Sequence, residues 1–264
     1  MNKKLKILSV FILAGFSFFY TDKVVKMIRD NDPIMTMIKE KNKELMVTKI
    51  DRIIYDDEYL TGVNGCVINE EKSYDRMRVV GEFKQELLVM KEDKEKEEKN
   101  KYIIGGNNKN RNVSIILFDD NIKSKEKINY FFDGKYISDN TTKLIDLKNN
   151  IYNLGRNDSY DKKYLMFDNS VINNNFKNKS EYCLVKEKNK DTLDLCSEHG
   201  MKTIKVDIID SDYIKSIREN LINGKIFALS NIDLEKFNQI IKYIKTKGYN
   251  IIYLNELLNE NNSC

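Results

Sequence analysis

Residues 221–258 read LINGKIFALSNIDLEKFNQIIKYIKTKGYNIIYLNELL, and this stretch sets the fold class. Ile226-Phe227-Ala228-Leu229 is a short uninterrupted apolar run, as suits a strand buried on both faces. Leu234, Phe237, Ile240, Ile241 and Ile244 then recur at three- and four-residue intervals, which predicts an amphipathic helix over 234–247. Gly248 follows as a C-terminal cap, because glycine enters the left-handed region at no steric cost. Asn250–Leu254 reads as a last strand, followed by Glu256-Leu257-Leu258. Strand, helix and strand joined by short connections is the signature of a parallel α/β unit.

The same alternation extends back to residue 112. Val113–Phe118 and Ile128–Phe132 are apolar strands, and Thr141–Asn149 is helical through Leu144, Ile145 and Leu147. Asp191–Glu198 is a helix with Leu193 and Cys196 on one side, Thr203–Ile209 a strand, and Tyr213–Ile222 a helix. Parallel α/β folds carry their chemistry at the C-terminal ends of the strands. Asp119-Asp120 and Ser230-Asn231 occupy such ends. An acidic turn after a strand is the plain alternative for the aspartate pair.

Upstream the pattern differs. Residues 91–101, KEDKEKEEKNK, have no apolar face and read as a solvated linker. The predicted organisation is therefore a signal-anchor segment at 1–22, a helical stalk at 23–47 restarted at Asp32-Pro33, and a small α+β accessory module at 48–92. A charged linker and turn at 93–109 then leads to a main domain at 110–264.

Composition excludes several function classes. The 264 residues carry 45 Lys+Arg against 41 Asp+Glu, too balanced to signal nucleic-acid binding. With 11 Gly and 1 Pro the chain is neither collagen-like nor Pro/Gly-rich. A single histidine, His199, rules out any centre needing two or three imidazoles from one chain. It stands at a predicted helix end, where an imidazole interacts favourably with the helix dipole. Four cysteines include no C-x-x-C pair. Cys183 and Cys196 are a candidate disulfide in an oxidising compartment, with two separate buried thiols as the alternative.

The N-terminus places Lys3, Lys4 and Lys6 before an uncharged stretch from Ile7 to Tyr20. That reads as a short membrane anchor or a cleaved secretory segment. With the basic flank inside, the expectation is a single N-terminal span with the body outside the cytoplasm, or secretion if the segment is cleaved.

Residues 221–258 resemble the C-terminal part of a NodB-type polysaccharide deacetylase, in which a hydrophobic strand ending in Leu-His is followed by a helix, Lys-Gly-Tyr and a closing strand. N-V-S-I-I-L-F-D-D at 112–120 is similar to the family's strand ending in Thr-Phe-Asp-Asp-Gly, and Tyr130-Phe131-Phe132 to its Thr-Phe-Phe strand. N-N-I-Y-N-L-G-R-N-D at 149–158 resembles the family's His-Glu-Ile-Gly-Asn-His segment with its further His. The resemblance spans about residues 110–258 and implies an α/β fold, an irregular (β/α) barrel. It also implies metal-assisted removal of an acetyl group from an N-acetylated sugar. One Asp and two His hold the ion, a second Asp is the base, and a late His is the acid.

On these positions Asp119 falls in the base slot and Asp120 in the metal slot. The two His slots fall on Leu154 and Asp158, the acid His slot on Ser230, and the Arg-Pro segment on Tyr182-Cys183-Leu184. Asp120 and Asp158 remain candidate oxygen ligands for a hard cation. Tyr182 and Tyr213 are candidate substrate-stacking aromatics.

The expected function is a cell-envelope deacetylase-like protein that has lost catalysis, with no resident cofactor and a cell-wall or surface glycan as partner. One alternative is an active, divergent metal-dependent deacetylase using Asp119, Asp120 and Asp158 with a divalent metal. The other is a structural protein-interaction module.

Overall fold

The computed structural model describes residues 20–21, 23–94, 100–106 and 110–259. Its elements run α1 (Pro33–Leu45), β1 (Ile53–Tyr55), β2 (Glu58–Thr61), β3 (Gly65–Ile68), α2 (Glu70–Val80), β4 (Met90–Asp93), β5 (Tyr102–Gly106), β6 (Asn112–Leu117) and β7 (Ile128–Phe132). They continue with α3 (Gly134–Ile145), β8 (Asn150–Asn153), α4 (Lys162–Asn175), β9 (Tyr182–Val185), α5 (Lys190–Glu198), β10 (Lys202–Lys205), β11 (Ile208–Ile209), α6 (Tyr213–Asn220), β12 (Ile226–Leu229), α7 (Leu234–Thr246), β13 (Asn250–Ile251) and α8 (Leu254–Leu257).

Two compact units form. Among the described residues, one takes the chain up to Thr48 and Gly65–Lys94, and the other takes Lys49–Asn64 and the chain from Asn100 to Asn259. The expected stalk and 48–92 module therefore divide differently. In the smaller unit α1 is no free stalk: it buries Met35 and Ile38 against Ile68, Tyr74 and Met77. Pro33 opens α1 at a position where its missing N–H costs nothing. The Asp32 carboxylate caps the helix by accepting from the Ile34 N–H, and accepts the Tyr74 hydroxyl at 2.9 Å. β3 and β4 close this unit as an antiparallel pair.

Residues 49–64 belong instead to the larger unit, because β2 has a partner there. The β1–β2 hairpin adds β2 parallel to β5, and Tyr59 is buried by the pairing. The five-stranded sheet runs β1-β2-β5-β10-β9. The second sheet runs β11-β12-β6-β7-β8, with β13 also on β6, and all of its pairs are parallel. The expected parallel α/β architecture is present, but among the described residues of the larger unit the ladders make two sheets and no closed barrel. The sheets approach backbone to backbone at one place: the Gly106 N–H donates to the Gly224 carbonyl at 2.8 Å, and Gly105 bridges Lys225.

Side-chain alternation builds two cores from the second sheet, an outer one under the helices and an inner one against the five-stranded sheet. Val113, Ile115, Leu117, Tyr130, Phe132, Phe227 and Leu229 pack with Phe237, Ile240 and Ile244 of α7 and Ile217 of α6. On the opposite face Ile116, Phe131, Tyr152, Ile226 and Ala228 pack with Tyr59, Ile103, Leu184 and Ile204 of the five-stranded sheet. Leu254, Leu257 and Leu258 join this second core. The buried Asn129 is satisfied there: its amide donates to Ser114 Oγ and Ile115 O, and its oxygen accepts the Leu254 N–H. Leu234, expected on the apolar face of α7, is about half exposed, since it sits in the first turn beside the Asp233 cap.

No helix of the described residues is long and apolar enough to cross a membrane, which stands against the expected single N-terminal span. Of the stretch Ile7–Tyr20 on which that expectation rested, all but Tyr20 lies outside the described residues.

Candidate functional site at the strand ends

The chain leaves β6 through Phe118, which packs on the inner core, and turns at the aspartate pair. Asp119 accepts the Asn121 N–H at 3.1 Å and so closes an Asx turn. The buried Tyr130 hydroxyl beneath donates to the Ile122 carbonyl, fixing the following loop. Burial, with smaller contributions from Asp119 and Asp120, pushes this phenol well above its ordinary range and keeps it neutral.

Asp120 is largely enclosed, with 11% of its side chain exposed, and is already taken. Its Oδ2 pairs with the Lys143 ammonium and accepts the Tyr136 hydroxyl at 3.0 Å. Burial raises the carboxyl, but the Lys143 and Tyr136 contacts outweigh it and hold Asp120 below the usual carboxylate range. Both partners come from α3, one on each side of its kink at Asn140, and the Lys143 ammonium lies 3.3 Å from the Tyr136 oxygen.

The chain after β8 explains why the other positions do not join Asp120. Leu154 is apolar and packs on the inner core. Gly155, Asn157 and Asp158 all have positive φ, and Arg156 bridges Ser159. The loop is thus a tight hairpin, where a helical turn would set positions four apart on one face. Asp158 sits exposed at its tip and pairs with Lys186 at 2.9 Å.

Just inside this hairpin lies a pair that the sequence did not announce. Arg156 grips the buried Asp168 of α4 with two bonds, 3.0 Å from Nε and 2.7 Å from its terminal nitrogen. Its guanidinium stacks on Tyr164 at 3.9 Å. The Asp168 hydrogen bond, then its charge, holds the guanidinium above its already high range. Gly134 makes room, since a Cβ there would collide with the Asp168 carboxylate. Arg156→Lys keeps the charge but loses the fork, and should lower Tm by at least about 2 °C in a thermal melt. The same exchange at exposed Arg218 serves as the silent control.

Ser230, after β12, donates its N–H to Ile209, and its carbonyl lies 2.7 Å from the Tyr213 hydroxyl. Tyr213 is buried among the outer-core residues, and Tyr182 is buried in the inner core, edge-on to Tyr152. Neither presents a ring for stacking a sugar, which corrects that expectation. Their apolar bodies are worth more in the core than at the surface. His199 caps α5, its Nδ1 2.8 Å from the Leu195 carbonyl. Cys183 of β9 and Cys196 of α5 are joined by a disulfide. No hydrogen bond or ion pair among the described residues links any two of Asp119, Asp120, Asp158 and Ser230, and no group of three metal-ligating side chains occurs there.

No protein-family model matches the sequence, and no curated protein does. Solved structures do match. The wild-type form of a CE4 family pseudoenzyme from Bacillus anthracis superposes with a TM-score of 0.60 at 16% identity, over 88% of this chain and 97% of that one. A mutant of that pseudoenzyme with restored enzymatic activity gives 0.58 at 17% identity, over 88% and 100%. The chain has a CE4-type fold. This is the fold of the NodB-type deacetylases that the sequence resembles. The donors of this CE4-type fold do not fit the family's zinc ion. Zinc in the centre that the resemblance implies takes neutral imidazole nitrogens, and the single histidine of the chain, His199, caps α5.

Proposed function

We propose that the chain is a catalytically silent deacetylase-fold protein that engages N-acetylated cell-wall glycan without cleaving it. One observation carries the reading: the only imidazole of the chain caps α5. Leu154, Asp158 and Ser230 stand where the resemblance asks for imidazoles. A leucine donates no electron pair, and a serine hydroxyl is too weak an acid to protonate a leaving amine near neutral pH. Asp119 keeps a carboxylate in the base position but lacks a polarised carbonyl to work on.

The test is acetate release from N-acetylated chitooligosaccharides and from peptidoglycan, with zinc, cobalt or manganese added. No release above the buffer blank is expected. Metal-dependent turnover abolished by Asp120→Ala would sink the proposal and favour the divergent enzyme. Co-sedimentation with insoluble peptidoglycan separates the glycan-binding reading, which expects retention, from a purely structural module, which expects none.

A further inference from the structure

We infer that Lys143 serves as a built-in counter-cation, its ammonium supplying Asp120 with the positive charge that a metal ion supplies in active members of the fold. The geometry is that of a closed three-membered cluster. The Lys143 ammonium contacts Asp120 Oδ2, the Tyr136 hydroxyl donates to the same oxygen at 3.0 Å, and the ammonium lies 3.3 Å from the Tyr136 oxygen.

The cluster is held from below. The Tyr136 ring packs on Phe132 at 5.5 Å between centroids, and the Asp133 carboxylate caps α3 by accepting the Lys135 and Tyr136 N–H groups. The hydroxyl is therefore aimed by the helix cap and the core, not by a flexible stem. Asp120 is mostly enclosed, while Lys143 reaches it from an exposed stem. A carboxylate in this enclosure needs a counter-charge. The ammonium of Lys143, from the neighbouring helix, supplies it.

The inference rests on the same placement of Asp120 as the proposed function, but its test is independent of turnover. Asp120→Asn, Lys143→Met and the double variant are compared by urea unfolding. The pair should show a coupling of about two- to five-fold in the unfolding constant, with the double variant less unstable than the sum of the singles. Zinc and cobalt titrated into the wild-type chain by calorimetry should give no heat that depends on Asp120. Additive singles would overturn the inference, as would metal binding by the wild type that Asp120→Asn abolishes. Should Asp120→Asn not fold, the wild-type titration decides alone: no one-to-one zinc or cobalt binding is expected, and such binding would overturn the inference. Acetate release with the coupling intact would remove the proposed function and leave this inference, and zero coupling without turnover would do the reverse.

Discussion

Gly224→Ala should destabilise the larger unit by about 2–6 kcal/mol, enough to leave the protein unfolded or insoluble at ambient temperature. Gly224 has φ +79°, where a residue with a Cβ costs roughly 1–3 kcal/mol. The added Cβ would also fall inside the van der Waals radius of the Gly106 carbonyl oxygen. Relief means parting two backbones, so overpacking adds roughly 1–3 kcal/mol. The strand contact would go with it, since Gly106 donates to the Gly224 carbonyl and Gly224 donates to Asn112 O at the start of β6. Gly81→Ala is the control: it also has positive φ, but its Cβ would meet nothing within 4 Å. It should show only the backbone part of the loss. Urea unfolding measures both, and equal losses would refute the close-approach argument.

Removing the Cys183–Cys196 disulfide should cost about 3 kcal/mol. The bond closes a loop of 13 residues between β9 and α5, and both sulfurs are fully buried beside Met201. The loss arises chiefly in the unfolded chain, which regains the freedom of that loop. A Cys183→Ala, Cys196→Ala variant should therefore lower the urea midpoint with an increased m-value, because its denatured state is less compact. An unchanged midpoint would show that the helix is held by packing alone.

The order of strands and helices was legible from about 112 onward because uninterrupted apolar runs and three-four spacing survive a polar, asparagine-rich surface. α7 and β12 are the clearest cases. α4 was not legible: Leu165 and Ile172 are its buried apolar positions, and the inward face also carries Asp168 and Asn169. That polar face exists because Arg156 and Asn153 meet it, a contact between distant segments that leaves no local pattern. The division of 48–92 was missed for a similar reason. β1 exposes all three residues, and only β2's pairing with β5 ties the hairpin to the larger unit. At the site, the aspartate pair was readable as a strand end, and the partners of Asp120 were not. Tyr136 and Lys143 are ordinary helix residues until a neighbouring strand end comes within reach.

The hairpin at 156–159 also limits what substitution alone could do at the strand ends. Imidazoles placed at positions 154 and 158 would stand one against an apolar core and the other on an exposed loop tip. The barrier is conformational: three backbone positions set in the left-handed region hold the two apart. Histidines at these two positions could meet at one ion only after the loop was rebuilt, so under the proposed function single substitutions would not confer metal chemistry.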